Sequence, residues 1–161
     1  MKIKTIDSIM FYTPKKQPSS RPISDDLFHL CGEHFYHMQI WTKNKWHTLE
    51  ITIPDLFLWD KRSVPKMLRA IRPRDGLCEL AALIHDALYR TAGASKNKDL
   101  GVVLTVDNAP ATLARKACDQ LYKHVYNDTK NLSSEPERDY FWLRLLGKRH
   151  FGKRTPPSQK K

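Results

Sequence analysis

The chain has 161 residues, enough for one domain that buries about two thirds of its unfolded surface in a core without disulfide staples. Lys and Arg outnumber Asp and Glu by 28 to 17, and the excess of 11 positive charges predicts attraction to a polyanion such as nucleic acid, anionic lipid or an acidic protein face. Three cysteines, Cys31, Cys78 and Cys118, are too few and odd in number for a secreted disulfide scaffold and fit a reducing compartment. The charges in MKIKTIDSIMFY leave no room for a signal-peptide core, and no apolar run approaches the roughly 18 residues of a membrane span.

Residues 2–12 read as a strand, and TPKKQPSSRP, residues 13–22, as a basic Pro/Ser-rich loop. HFYHMQIW and WHTLEITIP flank Thr42-Lys43-Asn44-Lys45, a polar connection suited to a hairpin, so a small antiparallel sheet is expected in the N-terminal half. His34 and His37 suggest a zinc pair, but in a strand a spacing of three puts them on opposite faces. Trp41, Trp46 and Trp59 offer rings that can stack on bases or pack in the sheet.

From Ser63 the spacing becomes helical. SVPKMLRAI starts with Ser63 as cap and Pro65 in the first turn, and should stop at Pro73. GLCELAALIHDALYRTAG places Leu77, Leu80, Ile84 and Leu88 on one face and ends at Gly93. Residues 92–109 read as a loop, and APATLARKACDQLYKHVYND as a second long helix with Leu113, Ala114, Ala117, Cys118, Leu121 and Val125 in a stripe. SSEPERDYFWLRLLGKRHF, with acids first and bases last, complements the dipole of a final helix. The expected fold is therefore α+β, a small N-terminal antiparallel sheet followed by a bundle of three or four helices. Residues 1–151 form one domain, and 152–161 form a flexible basic tail. Lys148 and Arg149 at the end of the last helix, with Lys153, Arg154, Lys160 and Lys161 of the tail, are the candidate polyanion-binding cations.

Chemistry concentrates in IHDALY. On a helix His85 and Tyr89 share a face, while Asp86 points about 100° away, so His85 and Asp86 need separate partners. Asp119, beside the small residues Ala117 and Cys118, is the best candidate to face His85, and Ala81 and Ala82 allow the two helices to approach closely. The same four polar residues can equally form a non-reacting network that pins the helices together. Asp119 can also pair with Arg115 and Lys123, four residues to either side. Asp60 and Ser63 are either a ligand pair beside the His85 site or a turn and helix cap.

ITIPDLFLWDKRSVP, IHDALY, ACDQLY and YFWLRLLGKRHFG together resemble the phage and prophage family of domain of unknown function 1353. That family's pattern runs "hydrophobic-Pro-x-Gly-Phe-x-Thr-Asp-x-x-Ser-Val-Pro", then "His-Asp-x-Leu-Tyr", then "Ala-Asp". Leu56 stands where the pattern has Gly, and Trp59 where it has Thr. A weaker, local resemblance is to the secretory calcium-dependent phospholipases A, in which a His-Asp-x-x-Tyr helix packs on a Cys-Asp helix. It implies His85 as the general base, Asp119 as its orienting carboxylate, Asp86 as a metal ligand and Tyr89 as a partner of Asp119. Asp60 is a further candidate ligand, and a divalent metal, calcium or zinc, is the candidate cofactor. The Gly- and Cys-rich loop that holds calcium in those enzymes has no counterpart here.

Two functions follow as expectations. One is a phage-encoded accessory protein with a His-Asp hydrolase-like site for an ester or phosphoester. The other is a non-catalytic virion or host-interaction protein that binds nucleic acid or an acidic host protein through its basic surface. Either would act in the host cytoplasm or the virion, without a signal peptide or a membrane span.

Overall fold

The computed structural model describes residues 1–12, 18–24, 27–59, 79–94 and 100–130, and, toward the C-terminus, residues 140–141, 144–145, 148 and 151–152. The segment read as a strand over residues 2–12 is two strands, β1 (Lys2–Ile3) and β2 (Ser8–Phe11). Part of the expected basic loop is also extended. There β3 (Ser20–Ser24) pairs antiparallel with β4 (Leu27–Leu30), which in turn pairs with β7 (Leu58–Trp59).

The expected hairpin is the backbone of the fold. β5 (His34–Thr42) and β6 (Lys45–Ile53) pair along their whole lengths, from His34 opposite Ile53 to Thr42 opposite Lys45. Only Lys43 and Asn44 lie in the turn, both at positive φ (51° and 63°), the geometry whose twist matches that of the strands. Alternate residues Tyr36, Met38 and Ile40 on β5 and Leu49, Ile51 and Ile53 on β6 are buried, as a sheet with one face on a core requires.

The expected N-terminal sheet followed by a bundle of three or four helices is not what forms. Strands dominate the described residues, arranged in three sheets, with two helices among them, α1 (Glu79–Arg90) and α2 (Arg115–Lys130). The correction lies mainly between the helices, where the sequence suggested a loop. β8 (Val103–Val106) pairs antiparallel with β6, and β9 (Ala109–Pro110) folds back on β8, giving a five-stranded sheet in the order β2-β5-β6-β8-β9. Val102, Leu104 and Val106 are buried while Val103 is exposed, so the true period here is two.

The second long helix also starts later than its apolar stripe suggested. β10 (Thr112–Leu113) pairs in parallel with β1, and the Ala114 amide donates to the Ile3 carbonyl, which holds the chain extended up to the first turn of α2. The expected helix over residues 63–71 lies outside the described residues. Of the last expected helix, Tyr140, Phe141, Arg144 and Leu145 are helical.

One cluster of buried residues joins the inner sheet face to both helices. α1 contributes Leu80, Leu83, Ile84, Ala87 and Leu88, and α2 contributes Ala117, Cys118, Leu121, Val125 and Tyr126. α1 ends in a Schellman arrangement: the Gly93 amide donates to the Leu88 carbonyl at 2.7 Å and the Ala92 amide to that of Tyr89 at 3.1 Å. Ala92 takes the left-handed position (φ 54°), and Gly93, also at positive φ, lies directly against the Leu113 backbone. Among the described residues no helix is long and apolar enough to cross a membrane.

Candidate functional site

His85 and Tyr89 project from one face of α1, as their spacing of four requires, and meet Asp119 of α2 in the helix contact. The neighbours Ala81, Ala82, Ala117 and Cys118 are buried and small. His85 Nε2 lies 3.2 Å from Asp119 Oδ1, and the Tyr89 hydroxyl donates a short hydrogen bond to the same oxygen. Arg144 Nη1 donates to the other oxygen, Oδ2, at 2.8 Å. Asp119 is 0% exposed, His85 4% and Tyr89 5%, so the group lies almost wholly out of water.

The electrostatics follow from the donors. Burial pushes the Asp119 carboxyl up, but the hydrogen bonds it accepts from His85, Tyr89 and Arg144 outweigh this and hold the carboxyl below the ordinary carboxylate range. Burial first, and the Asp119 charge second, push the Tyr89 hydroxyl far above its ordinary range, so it stays a donor. Burial likewise raises the Cys118 thiol, which leaves it un-ionised and inert. With an ionised acceptor at Nε2, the neutral imidazole carries its proton there and presents a lone pair at Nδ1. Among the described residues Nδ1 makes no hydrogen bond. The His85 ring lies between Tyr89, with centroids 4.0 Å apart, and the edge of Tyr122 at 5.2 Å.

The structure thus brings His85, Asp119 and Tyr89 together and leaves Asp86 out. Asp86 faces Arg90 Nη1 at 3.8 Å, one turn along the same helix. That arginine also donates to the Leu58 carbonyl and sits 4.7 Å over the Phe57 ring. A resident metal at this centre does not fit the described donors. Asp86 is engaged with a cation, and no group of three or more His, Cys, Asp or Glu side chains converges among the described residues. The other candidate ligand, Asp60, lies outside them, as does Ser63. Of the candidate polyanion contacts, Lys148 is exposed in a 3₁₀ turn, while Arg149, Lys153, Arg154, Lys160 and Lys161 lie outside the described residues.

Several site residues escaped the sequence reading. Arg144 is the single charge in the apolar run YFWLRLL, a signal that it has a buried partner. Asp119 does not form the surface pairs open to it in sequence: it is fully buried, and Arg115 Nη1 and Nη2 instead donate to the Arg144 carbonyl at 3.2 and 3.3 Å. The C-terminal segment also seats Tyr89, because Phe151 packs edge-on against its ring and the Gly152 amide donates to its carbonyl at 2.7 Å.

A second His-Asp pair was likewise unforeseen. His47 Nδ1 lies 2.6 Å from Asp107 Oδ2, while Asp107 Oδ1 accepts the Thr48 amide at 2.9 Å. The His47 hydrogen bond, aided by the Thr48 amide, lowers the Asp107 carboxyl. The pair ties β6 to the Asp107-Asn108 turn, both of whose residues have positive φ. Trp59 is buried, whereas Trp41 and Trp46 form a cross-strand edge-to-face pair at 5.3 Å.

No curated protein and no solved structure matches this chain. A family model described as protein of unknown function (DUF1353) does match, over residues 36–143, which include the whole β5–β6 hairpin, α1 with His85 and Tyr89, and α2 with Asp119. The match covers about two thirds of the sequence, and the chain belongs to that family.

Proposed function

We propose that the protein is a phage-encoded accessory hydrolase whose His85 centre cleaves an ester or phosphoester. The observation that carries this reading is the orientation of the imidazole, with Nε2 against a buried, ionised carboxylate and Nδ1 left with its lone pair. An imidazole fixed in one tautomer is a competent general base near neutral pH. In the reaction, Nδ1 takes a proton from water as the water oxygen bonds to the carbonyl carbon or phosphorus. The same proton then passes to the leaving oxygen as its bond breaks, and Asp119 stays ionised throughout. The local likeness to calcium-dependent phospholipases A supports the same roles for His85, Asp119 and Tyr89, but the metal step of those enzymes has no basis in the described residues here.

A second reading rests on one specific observation, the 0% and 4% exposure of Asp119 and His85. On that reading the network only pins α1 to α2, and the protein is a virion or host-interaction component that uses its 11 excess positive charges to hold nucleic acid or an acidic host protein. Assays of wild type, His85→Gln and Asp119→Asn against nitrophenyl esters, a bis-nitrophenyl phosphate and phospholipid vesicles separate the two. The hydrolase reading expects turnover that falls by about 100- to 10,000-fold in His85→Gln while the circular dichroism spectrum is retained. Absence of turnover in wild type, or turnover equal in wild type and His85→Gln, would overturn it in favour of the pin.

A further inference from the structure

We infer that Arg144 is a positioning residue of the His85 centre, holding Asp119 in the orientation that fixes the imidazole; the catalytic meaning of this rests on the hydrolase reading above. Asp119 has two oxygens with different duties. Oδ1 receives both groups from α1, the His85 ring and the Tyr89 hydroxyl. Oδ2 receives a permanent cation, Arg144, at 2.8 Å. A carboxylate out of water needs a countercharge to remain ionised, and only an ionised Asp119 selects the Nε2–H tautomer.

Arg144 is also held too firmly to be an incidental surface pair. Its guanidinium is bound by Asp119, and its backbone carbonyl by both Nη atoms of Arg115, four residues or about one helical turn before Asp119 on α2. Two residues of one helix face therefore grip Arg144 at both ends. About eight residues further on, Phe151 and Gly152 fasten the same segment to Tyr89. The C-terminal segment thus supplies Asp119 with its charge partner and Tyr89 with part of its packing. Arg144 itself is 33% exposed and touches no reacting atom, so its influence passes through Asp119.

The test reads the imidazole directly. Nitrogen-15 shifts of His85, recorded where the ring is neutral, should show one Nε2–H tautomer in wild type and in Arg144→Lys, and a mixture in Arg144→Gln. On a nitrophenyl ester, Arg144→Gln should lower kcat about 10- to 100-fold with KM within about twofold, the pattern of a lost orienting group, and Arg144→Lys should recover most of it. Unchanged tautomer signals and unchanged kcat in folded Arg144→Gln would overturn the proposal, as would a fall in melting temperature with the tautomer intact. If Arg144→Gln does not fold, Arg144→Lys decides: a single Nε2–H tautomer supports the role and a mixture in the folded variant refutes it. Because the tautomer is visible without turnover, an inactive wild type would sink the hydrolase reading while leaving the positioning of His85 by Arg144 to be judged on its own.

Discussion

Asp119→Ala removes the one acceptor on which three donors converge, and its cost can be worked from their exposure. The Tyr89 hydroxyl and the His85 Nε2–H, on residues 5% and 4% exposed, lose their partner in a place water hardly reaches, at about 1–3 kcal/mol each. Arg144, one third exposed, can turn its guanidinium to solvent, so its share is small. Release of the buried carboxylate's own desolvation offsets part of the loss. The net expectation is about 3 kcal/mol, which for a chain of this size is a drop of about 6–12 °C in melting temperature. Urea unfolding followed by circular dichroism should show a lower midpoint at unchanged slope. In a Tyr89→Phe background the same substitution should cost about 1–2 kcal/mol less, since one stranded donor is already gone. A cost below about 1 kcal/mol with no coupling to Tyr89 would refute the argument, because it would mean that the network neither excludes water nor ties α1 to α2.

Four further outcomes follow from features of the fold. The Asp119 carboxyl is lower in the folded state than in the unfolded chain, so its stabilisation is complete above the unfolded value of about 4 and is lost as pH falls through the folded one. Melting temperatures between pH 7 and pH 2 should therefore fall less steeply on the acid side for Asp119→Asn than for wild type. Leu56, at φ 59° and 56% exposed, carries left-handed strain with little packing to lose, so Leu56→Gly should stabilise by about 1 kcal/mol in denaturant titrations. Gly93→Ala should destabilise by about 2–4 kcal/mol, because its Cβ would lie 2.0 Å from the Leu113 carbonyl oxygen in a left-handed position. Deleting residues 153–161, which carry four cations and no acid, should make the log-affinity against log-salt slope for DNA shallower by up to about three to four units at unchanged melting temperature.

The parts of the molecule that could be read in the sequence are those where local pattern and tertiary demand coincide. The β5–β6 hairpin alternates cleanly because one face is buried along most of its length, and α1 keeps its helical period because it lies in the core. The meeting of His85, Tyr89 and Asp119 could be anticipated since two of them sit one turn apart and the third lies among small residues. Other features depend on partners distant in sequence. Thr112 and Leu113 suit a helical stripe as well as a strand, and it is pairing with β1, about 110 residues earlier, and with Gly93 and Ala94 that makes them extended. β8 is four residues between polar stretches, too short to outweigh the neighbouring Gly101 and the Asp107-Asn108 turn. Leu56 supplies the reverse case, for it holds a left-handed position that favours Gly, and its own side chain gives no sign of that. Arg144 was hidden for a simpler reason: a cation two positions from the end of an apolar run does not announce which carboxylate it faces.

The parallel pairing of β1 with β10 constrains the order in which the chain can fold. Ile3 aligns with Leu113, and the Met1 carbonyl accepts from the Thr112 amide at 2.8 Å, so these contacts close a loop spanning most of the molecule. Closing so long a loop is entropically costly, whereas the β5–β6 hairpin closes over a two-residue turn. During synthesis the first residues must wait for more than a hundred others to leave the ribosome before finding their partner, while the hairpin can form as soon as its own strands emerge. The N-terminal strand is therefore a late-docking element, and since Ala114 at the start of α2 is bound to Ile3, the helix bearing Asp119 gains its final anchorage only when that strand arrives.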